Sequence, residues 1–488
     1  MTRNSWRIQS IGYMSLVVMV VMHSVVQAQQ SNTLFFMHFV PEANFVNPAV
    51  QIECRLFLGL PVVTSLHTHI SNSGFTAEQL LKKESEGGYT INADHAVNKL
   101  GRHNLFTSEV YATLLAVGFR RDKLYYNFTV TEKGNVALHY SRDFMAFALK
   151  GNTQFEGQWV DLRGTGIFFN YVREYAFGIS KEYSENLTLG VKAKLIFGKL
   201  NLTTGRSSMG LFTQETTMDL LFDGRSGFSS SLPYSLQYNG PGDYTFNHQY
   251  EASLGSYLFN MRNPGFAVDL GFIYRYSDRL TFSGSLLDLG LVNYRSNQTK
   301  YALHGNYLFQ GPITDSIITG NYLEDVFDGL NQNMEVDLSY NPYVYPLNPR
   351  LYLGATYKLN GRNQVNLLLY NRFFPVGIQT AAMVSVTTRP LKNLEASVSW
   401  SYMNRSLANL GVGFGYGRSP VQVYLVSDNI FGFVLPMNVK NINFRFGLNL
   451  IFGCREELDI DQCGCAWLRD AEQRRSRNEE FRRGKKVR

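Results

Sequence analysis

The stretch that decides the fold is Asn441-Ile442-Asn443-Phe444-Arg445-Phe446-Gly447-Leu448-Asn449-Leu450-Ile451-Phe452, near the end of the 488-residue chain. Ile442, Phe444, Phe446, Leu448, Leu450 and Phe452 share one face of an extended strand, and Asn441, Asn443, Arg445, Gly447 and Asn449 share the other. Side chains alternate along a strand, so this pattern describes a tilted strand long enough to cross a bilayer. The apolar face meets lipid and the polar face, Arg445 included, meets a lumen.

The same period recurs through the chain. Phe266, Val268, Leu270, Phe272, Tyr274 and Tyr276 alternate with Ala267, Asp269, Gly271 and Arg275. Leu187, Leu189, Val191, Ala193, Leu195 and Phe197 alternate with Thr188, Gly190, Lys192 and Lys194. Leu394 to Tyr402 sets Glu395 and three serines on its polar face, and Leu410 to Gly417 sets four glycines there. A soluble sandwich also alternates, but its exposed face carries more charge on shorter strands. Here only 17% of residues are charged, against about 25% in soluble domains.

Beyond residue 28 no apolar run reaches the roughly eighteen residues a membrane helix needs, which excludes a helical membrane protein. Turn signals at Asn360-Gly361 and Ser277-Asp278 separate strands. The candidate strands number about fourteen to sixteen, and an even number suits a single-chain bacterial barrel. The fold class is therefore all-β: a transmembrane outer-membrane β-barrel of about 14 antiparallel strands with an N-terminal lumenal segment and short accessory helices.

Met1 to Ala28 reads as a secretory signal, with Arg3 and Arg7 before an apolar run and Val26-Gln27-Ala28 as the cleavage site. The organisation expected is signal peptide 1–28, plug-like segment 29–54, barrel 55–453 and basic periplasmic tail 454–488. In the segment, Asn47-Pro48-Ala49 is the plug motif: proline removes a backbone donor and asparagine bonds local backbone, so the tripeptide holds irregular chain. At membrane depth such chain is tolerated only inside a barrel or against protein. A plain turn before the first strand is the alternative.

Four pieces fall outside the strand pattern. Thr76 to Lys83 and Ser141 to Lys150 read as short helices, Leu232 to Asn263 as a long loop or hairpin extension, and Thr314 to Leu330 as a further helix. The tail carries Arg474, Arg475, Arg477, Arg482, Arg483, Lys485 and Lys486. It reads either as a solvated end or as a docking tail for a periplasmic protein or cell-wall polymer; a nucleic-acid partner does not suit that compartment.

The chain shows no G-x-S-x-G elbow, H-E-x-x-H helix or P-loop, and no enzyme is expected. Nor is a cofactor or metal. His67 and His69 share a strand face but lack an adjacent third ligand, and the four cysteines, Cys54, Cys454, Cys463 and Cys465, read as a periplasmic disulfide or free thiols of open connectivity. Asp269, Arg275, Glu395 and Arg445 are the lumen-facing candidates. The many glycines on that face suggest free space in the lumen.

Several motifs in order resemble a known family: Asn47-Pro48-Ala49 with Leu58-Gly59-Leu60-Pro61, Tyr171-Val172-Arg173-Glu174-Tyr175, Asn263-Pro264-Gly265 before Asp269-Leu270-Gly271, Asp288-Leu289-Gly290, Tyr424 to Asn429 and Arg445 to Asn449. They look like an uncharacterised Bacteroidetes outer-membrane family, itself distantly similar to FadL-type channels and to PorV. The resemblance implies a barrel of about fourteen strands in the outer membrane of a Gram-negative bacterium, surrounded by lipid, with both termini periplasmic. It also implies either a passive channel for a hydrophobic or amphipathic small molecule or a PorV-like scaffold for secretion or gliding components. An open lumen favours the channel, and a lumen filled by residues 29 to 54 and the short helices favours the scaffold.

Overall fold

The computed structural model describes residues 32–454 apart from 62, 85–87, 206, 233, 241–242, 249–260, 311–328, 330–331 and 376. The signal-peptide reading, the basic tail and nearly all of the expected helix Thr314 to Leu330 therefore lie outside the described residues. By internal contacts the chain divides into Met1–Phe452 and Gly453–Arg488, and the barrel belongs to the first of these.

Among the described residues fourteen antiparallel strands close into one barrel. They are β1 (Cys54–Gly59 and Ser65–Asn72), β2 (His103–Arg121), β3 (Leu124–Ser141), β4 (Gly166–Glu182) and β5 (Leu187–Thr204). Next come β6 (Leu220–Ser231 and Pro264–Arg275), β7 (Leu280–Tyr294 and Gln298–Phe309) and β8 (Glu335–Ser339, Tyr343–Pro346 and Arg350–Lys358). The remainder are β9 (Asn363–Phe374), β10 (Gly377–Leu391), β11 (Leu394–Tyr402), β12 (Leu410–Arg418), β13 (Val421–Ser427) and β14 (Asn441–Cys454). Each strand pairs with its sequence neighbour, and β14 returns to β1 with Leu66 opposite Phe446 and Ile70 opposite Ile442. Closure leaves the sheet no edge of unpaired backbone groups, which is what a sheet facing hydrocarbon requires.

The two halves of β6 pair with the same strand, β5, at Ser231 opposite Asn201 and Pro264 opposite Phe197. Between them the chain leaves the wall as a hairpin, Tyr234–Gly240 with Asp243–His248, so the expected hairpin extension is an insertion within one strand. The Ser141 expectation holds: its side chain accepts from the Phe144 N–H and starts α2 (Arg142–Lys150). The first helix is shorter than expected. Thr76 and Gln79 form a reciprocal cap on α1 (Ala77–Leu80), but Leu81–Lys83 turns extended to pair with Tyr89–Ile91.

The two ends of the barrel differ. Six short turns, 121–124, 182–187, 275–280, 358–363, 391–394 and 418–421, lie at the end where β1 begins and β14 finishes. The long connections lie at the other. Outside, Val398, Trp400, Phe266, Leu195 and Leu425 are about half exposed while their strand neighbours Ser397, Ser399, Ala267, Lys194 and Val426 are buried. That is the apolar belt and polar interior of a membrane barrel.

Candidate functional site

The lumen is filled from within by the chain's own N-terminal segment. Residues 32–53 make two 3-10 turns, Thr33–Phe36 and Pro41–Phe45, joined by irregular chain. Leu34, Phe35, Phe36, Met37, Val40, Ala43, Val46, Ala49, Val50 and Ile52 are all essentially inaccessible. All of these but Ala49 and Ile52 pack on an apolar sector of the inner wall that includes Leu287, Tyr352, Leu368, Tyr370, Met383, Met403 and Tyr424. The Phe35 ring stacks on Tyr352 with centroids 5.3 Å apart.

The wall is thinned where the segment lies against it. The inward positions of β12 are Gly411, Gly413, Gly415 and Gly417, and a Cβ on Gly411 would sit 2.9 Å from the Thr33 hydroxyl, on Gly415 2.9 Å from a Val40 methyl. A Cβ on Gly413 would overlap the Met37 sulfur. Glycines on the lumen face thus hold the segment rather than leave open space.

Irregular chain inside a barrel must have its backbone groups satisfied, since an unpaired buried N–H or C=O costs about as much as a lost hydrogen bond. The wall supplies the partners. The Thr33 N–H donates to Asp428 Oδ1 at 2.8 Å, the Phe39 N–H to Glu395 Oε2 at 3.3 Å, and the Gln422 side chain donates to the Phe39 carbonyl at 3.0 Å. Further along, Lys192 Nζ donates to the Asn44 carbonyl at 2.7 Å, Ser285 Oγ to the Val46 carbonyl at 2.5 Å, and Ser180 Oγ to the Ala49 carbonyl at 3.1 Å. Arg120 caps the exit by donating to the Ile52 carbonyl at 2.9 Å.

Asn47-Pro48-Ala49 sits at the centre of this contact. Asn47 Oδ1 accepts from the Ala49 N–H at 3.0 Å, a local turn, while its Nδ2 donates to the Phe272 carbonyl of the wall at 3.3 Å. The tripeptide presses on Gly190 of β5 and Gly271 of β6, where added Cβ atoms would overlap Pro48 and the Asn47 side chain. Asn44 closes the turn by donating to the Val50 carbonyl at 2.6 Å.

Two ionisable groups of the segment are carried neutral. Burial pushes the Glu42 carboxyl up to about 8 against an opposing bond from Asn449, and burial, with the nearby Arg389 charge, pushes His38 down to about 4. Ionising either inside the barrel means removing a charge from water without a matched partner.

Of the four lumen candidates, three lie inside. Asp269 and Glu395 are 1% and 2% exposed and Arg445 is 7% exposed. Glu395 takes a 3.0 Å bond from Arg389, which also reaches Glu53 of the segment at 2.5 Å. Arg445 NH1 donates to Ser65 Oγ at 3.2 Å. Arg275 has lumen parity on β6, but it ends the strand, so its guanidinium is exposed at the rim and donates to the Glu185 carbonyl at 3.0 Å.

Asp269 belongs to a buried ionic cluster that the sequence patterns do not reveal. Lys194 Nζ lies 2.7 Å from Asp269, 2.7 Å from Asp288 and 3.4 Å from Glu174, while Lys133 lies 2.7 Å from Glu174 and Arg350 2.5 Å from Asp288. Glu109 pairs with Arg372 beside it. Asp288 takes a positive φ of 58° where the β6–β7 register shifts, so the bulge turns it toward the same side as Leu287. The sequence motifs hold Glu174, Asp269, Lys194 and Asp288 separately, with nothing that brings them together. His67 packs on Tyr111 at 5.3 Å and His69 Nε2 is 3.4 Å from Thr107 Oγ1. Cys54 and Cys454 are each disulfide-bonded, and Cys463 and Cys465 lie outside the described residues.

Among the described residues, cavities of about 40 Å³ each lie inside the wall beside Lys133 and Asn348 and beside Phe45 and Lys192. A space of that size holds a few water molecules.

The fold and its filled lumen define a class: an outer-membrane-type β-barrel closed by its own N-terminal segment. Residues 48–428 match the model of a family of unknown function, DUF5723, and the chain belongs to that family. No curated protein matches it in sequence. Among solved structures it is similar to the monoaromatic hydrocarbon channel CymD, at 10% identity over 88% of this chain and 98% of that one with a TM-score of 0.41. It is also similar to a TodX monoaromatic hydrocarbon channel mutant (11%, 85% and 94%, TM-score 0.38) and to a Pseudomonas aeruginosa FadL homologue (10%, 88% and 100%, TM-score 0.37). The barrel assignment rests on the strand register and not on these likenesses.

Proposed function

We propose that the protein is an outer-membrane channel held shut by residues 32–53, passing a hydrophobic or amphipathic small molecule when that segment shifts. The observation that carries the reading is the chemistry of the wall behind the segment. Leu287, Tyr352, Leu368, Tyr370 and Met383 face inward from β7 to β10 and Val426 from β13, where a water-filled pore would place polar side chains. Moving the segment uncovers an apolar patch on β7 to β10, bordered by the serines of β11 and the glycines of β12, that suits an apolar solute. The short-turn end, with Cys54 and the close of β14, is the periplasmic end in this reading, because short turns face the periplasm in such barrels.

The density of the fill favours a second reading, a scaffold that binds secretion or gliding components with its lumen permanently closed. Every stretch of the segment is bonded to the wall, as a structural core would be. Uptake of labelled fatty acids and aromatic hydrocarbons into liposomes carrying the protein separates the two. The channel reading expects uptake above protein-free vesicles that rises when the segment is loosened. Equal uptake with and without protein, across the panel and in a loosened variant, would leave the scaffold.

A further inference from the structure

The short-turn rim carries a ring of positive charge. Five of the six turns bear an exposed Lys or Arg, Arg121 and Lys123, Arg275 and Arg279, Lys358 and Arg362, Lys392, and Arg418, and exposed Lys181 directly precedes the remaining turn. The exposed carboxylates at these turns are Asp122, Glu185 and Asp278. At the long-connection end the exposed cations Lys82, Lys83, Lys99, Arg102, Arg142, Lys150, Arg163, Arg225, Arg262 and Arg295 are nearly matched by Glu78, Glu84, Asp94, Glu156, Glu215, Asp223, Glu335 and Asp337, so among the described residues the larger excess belongs to the short-turn rim.

At this rim stand exposed tyrosines, Tyr274, Tyr357 and Tyr416 near the strand ends and Tyr183 and Tyr276 in the turns. Tyrosine at the end of an apolar belt marks headgroup depth, with the ring in the acyl region and the hydroxyl in water. The basic side chains therefore stand at the level of the phosphates. The Lys181 ammonium lies 5.4 Å from the Tyr183 ring. Lys181 also lines an open apolar crevice of about 580 Å³ on the wall, bounded by Ile179, Leu189, Val191, Leu270, Phe272 and Leu353. A cation beside these tyrosines and an apolar trough running down the wall match the two parts of a lipid.

We propose that this rim binds anionic glycerophospholipids, Lys181 and its neighbours taking the phosphate-bearing headgroup and the crevice below taking an acyl chain. The proposal rests on the membrane-barrel reading, which places the rim at a bilayer surface. Anionic surfaces attract membrane-proximal Lys and Arg additively, and salt screens the attraction. An acidic protein partner would need no crevice, and a zwitterionic lipid would gain little from a ring of cations.

The test uses the full chain folded in detergent, titrated with dioleoylphosphatidylglycerol or dioleoylphosphatidylcholine and read by native mass spectrometry. Wild type should retain phosphatidylglycerol at least about fivefold better, since a single rim cation contributes about that factor. The variant Lys181→Gln/Arg279→Gln/Arg362→Gln should lose most of the preference, as should added salt, while Lys82→Gln/Lys83→Gln at the other rim should not. Equal retention of both lipids, an unchanged preference in the triple variant, or capture of an acidic periplasmic protein without a lipid preference would overturn the proposal. Insertion into neutral phosphatidylcholine vesicles, followed by heat-dependent gel migration, reports the membrane reading separately. Insertion without preference sinks the ring alone, and failure to insert sinks both.

Discussion

Gly190 of β5 lies against the backbone of Pro48 so closely that it has no room for a Cβ. The contact joins residues 47–49 of the N-terminal segment to the barrel wall, and with Gly271 it makes their seat depend on missing side chains. Gly190→Val should leave the strands paired but push residues 47–49 off the wall. Overpacking of this kind costs about 1–3 kcal/mol. Limited proteolysis of the folded barrel should then cut the segment roughly fivefold faster or more; an unchanged cleavage rate would mean that the segment does not rest there.

Lys194 is the hub of the lumenal ionic cluster, within 3.4 Å of Glu174, Asp269 and Asp288. Lys194→Met removes the charge that three buried carboxylates share. Breaking a buried pair from one side costs about 3–5 kcal/mol, so the variant should lose a large part of its thermal stability or fail to assemble. Lys181→Met, outside the barrel, should change stability little. Comparable melting of the two variants would show that the cluster is not buried as described.

Glu42 supplies the pH dependence. Its carboxyl is pushed from the usual 4.5 up to about 8 in the folded barrel, chiefly by burial. Between those values the folded state holds a proton that the released segment gives up, so docking weakens as pH rises and levels off above about 8. Protease sensitivity of residues 32–53 should increase from pH 6.5 to pH 9, above the range in which His38, held down to about 4 when docked, loosens the segment toward acid, and Glu42→Gln should abolish that rise. A segment that tightens between pH 6.5 and pH 9 would contradict the assignment.

How much of the molecule is legible in its sequence depends on whether the signal is local. The dyad pattern of Asn441 to Phe452 needs only its own residues, because a strand's parity is written in its alternation, and it yields the barrel and its lipid face. Asn47-Pro48-Ala49 likewise marks irregular chain by its own residues, since proline and asparagine act on local backbone. The four glycines of β12 are visible but suggest free space, since nothing in a strand's own sequence says what lies opposite. The ionic cluster escapes sequence reading for a related reason. Lys133, Glu174, Lys194, Asp288 and Arg350 come from five strands, and Asp288 turns inward only because a bulge breaks the parity that alternation assumes. Arg275 shows the reverse error, correct in parity and wrong in depth, because a side chain at a strand's end reaches the rim.

If residues 32–53 close a lumen that is otherwise continuous, removing them must open it. Planar-bilayer current through the full chain and through a chain lacking residues 32–53 reads this without an intermediate step. The full chain should carry no steady current and the shortened one should give a stable ohmic step. Equal conductance from both, or silence from a shortened barrel that has demonstrably inserted, would mean that the segment is not what closes the barrel.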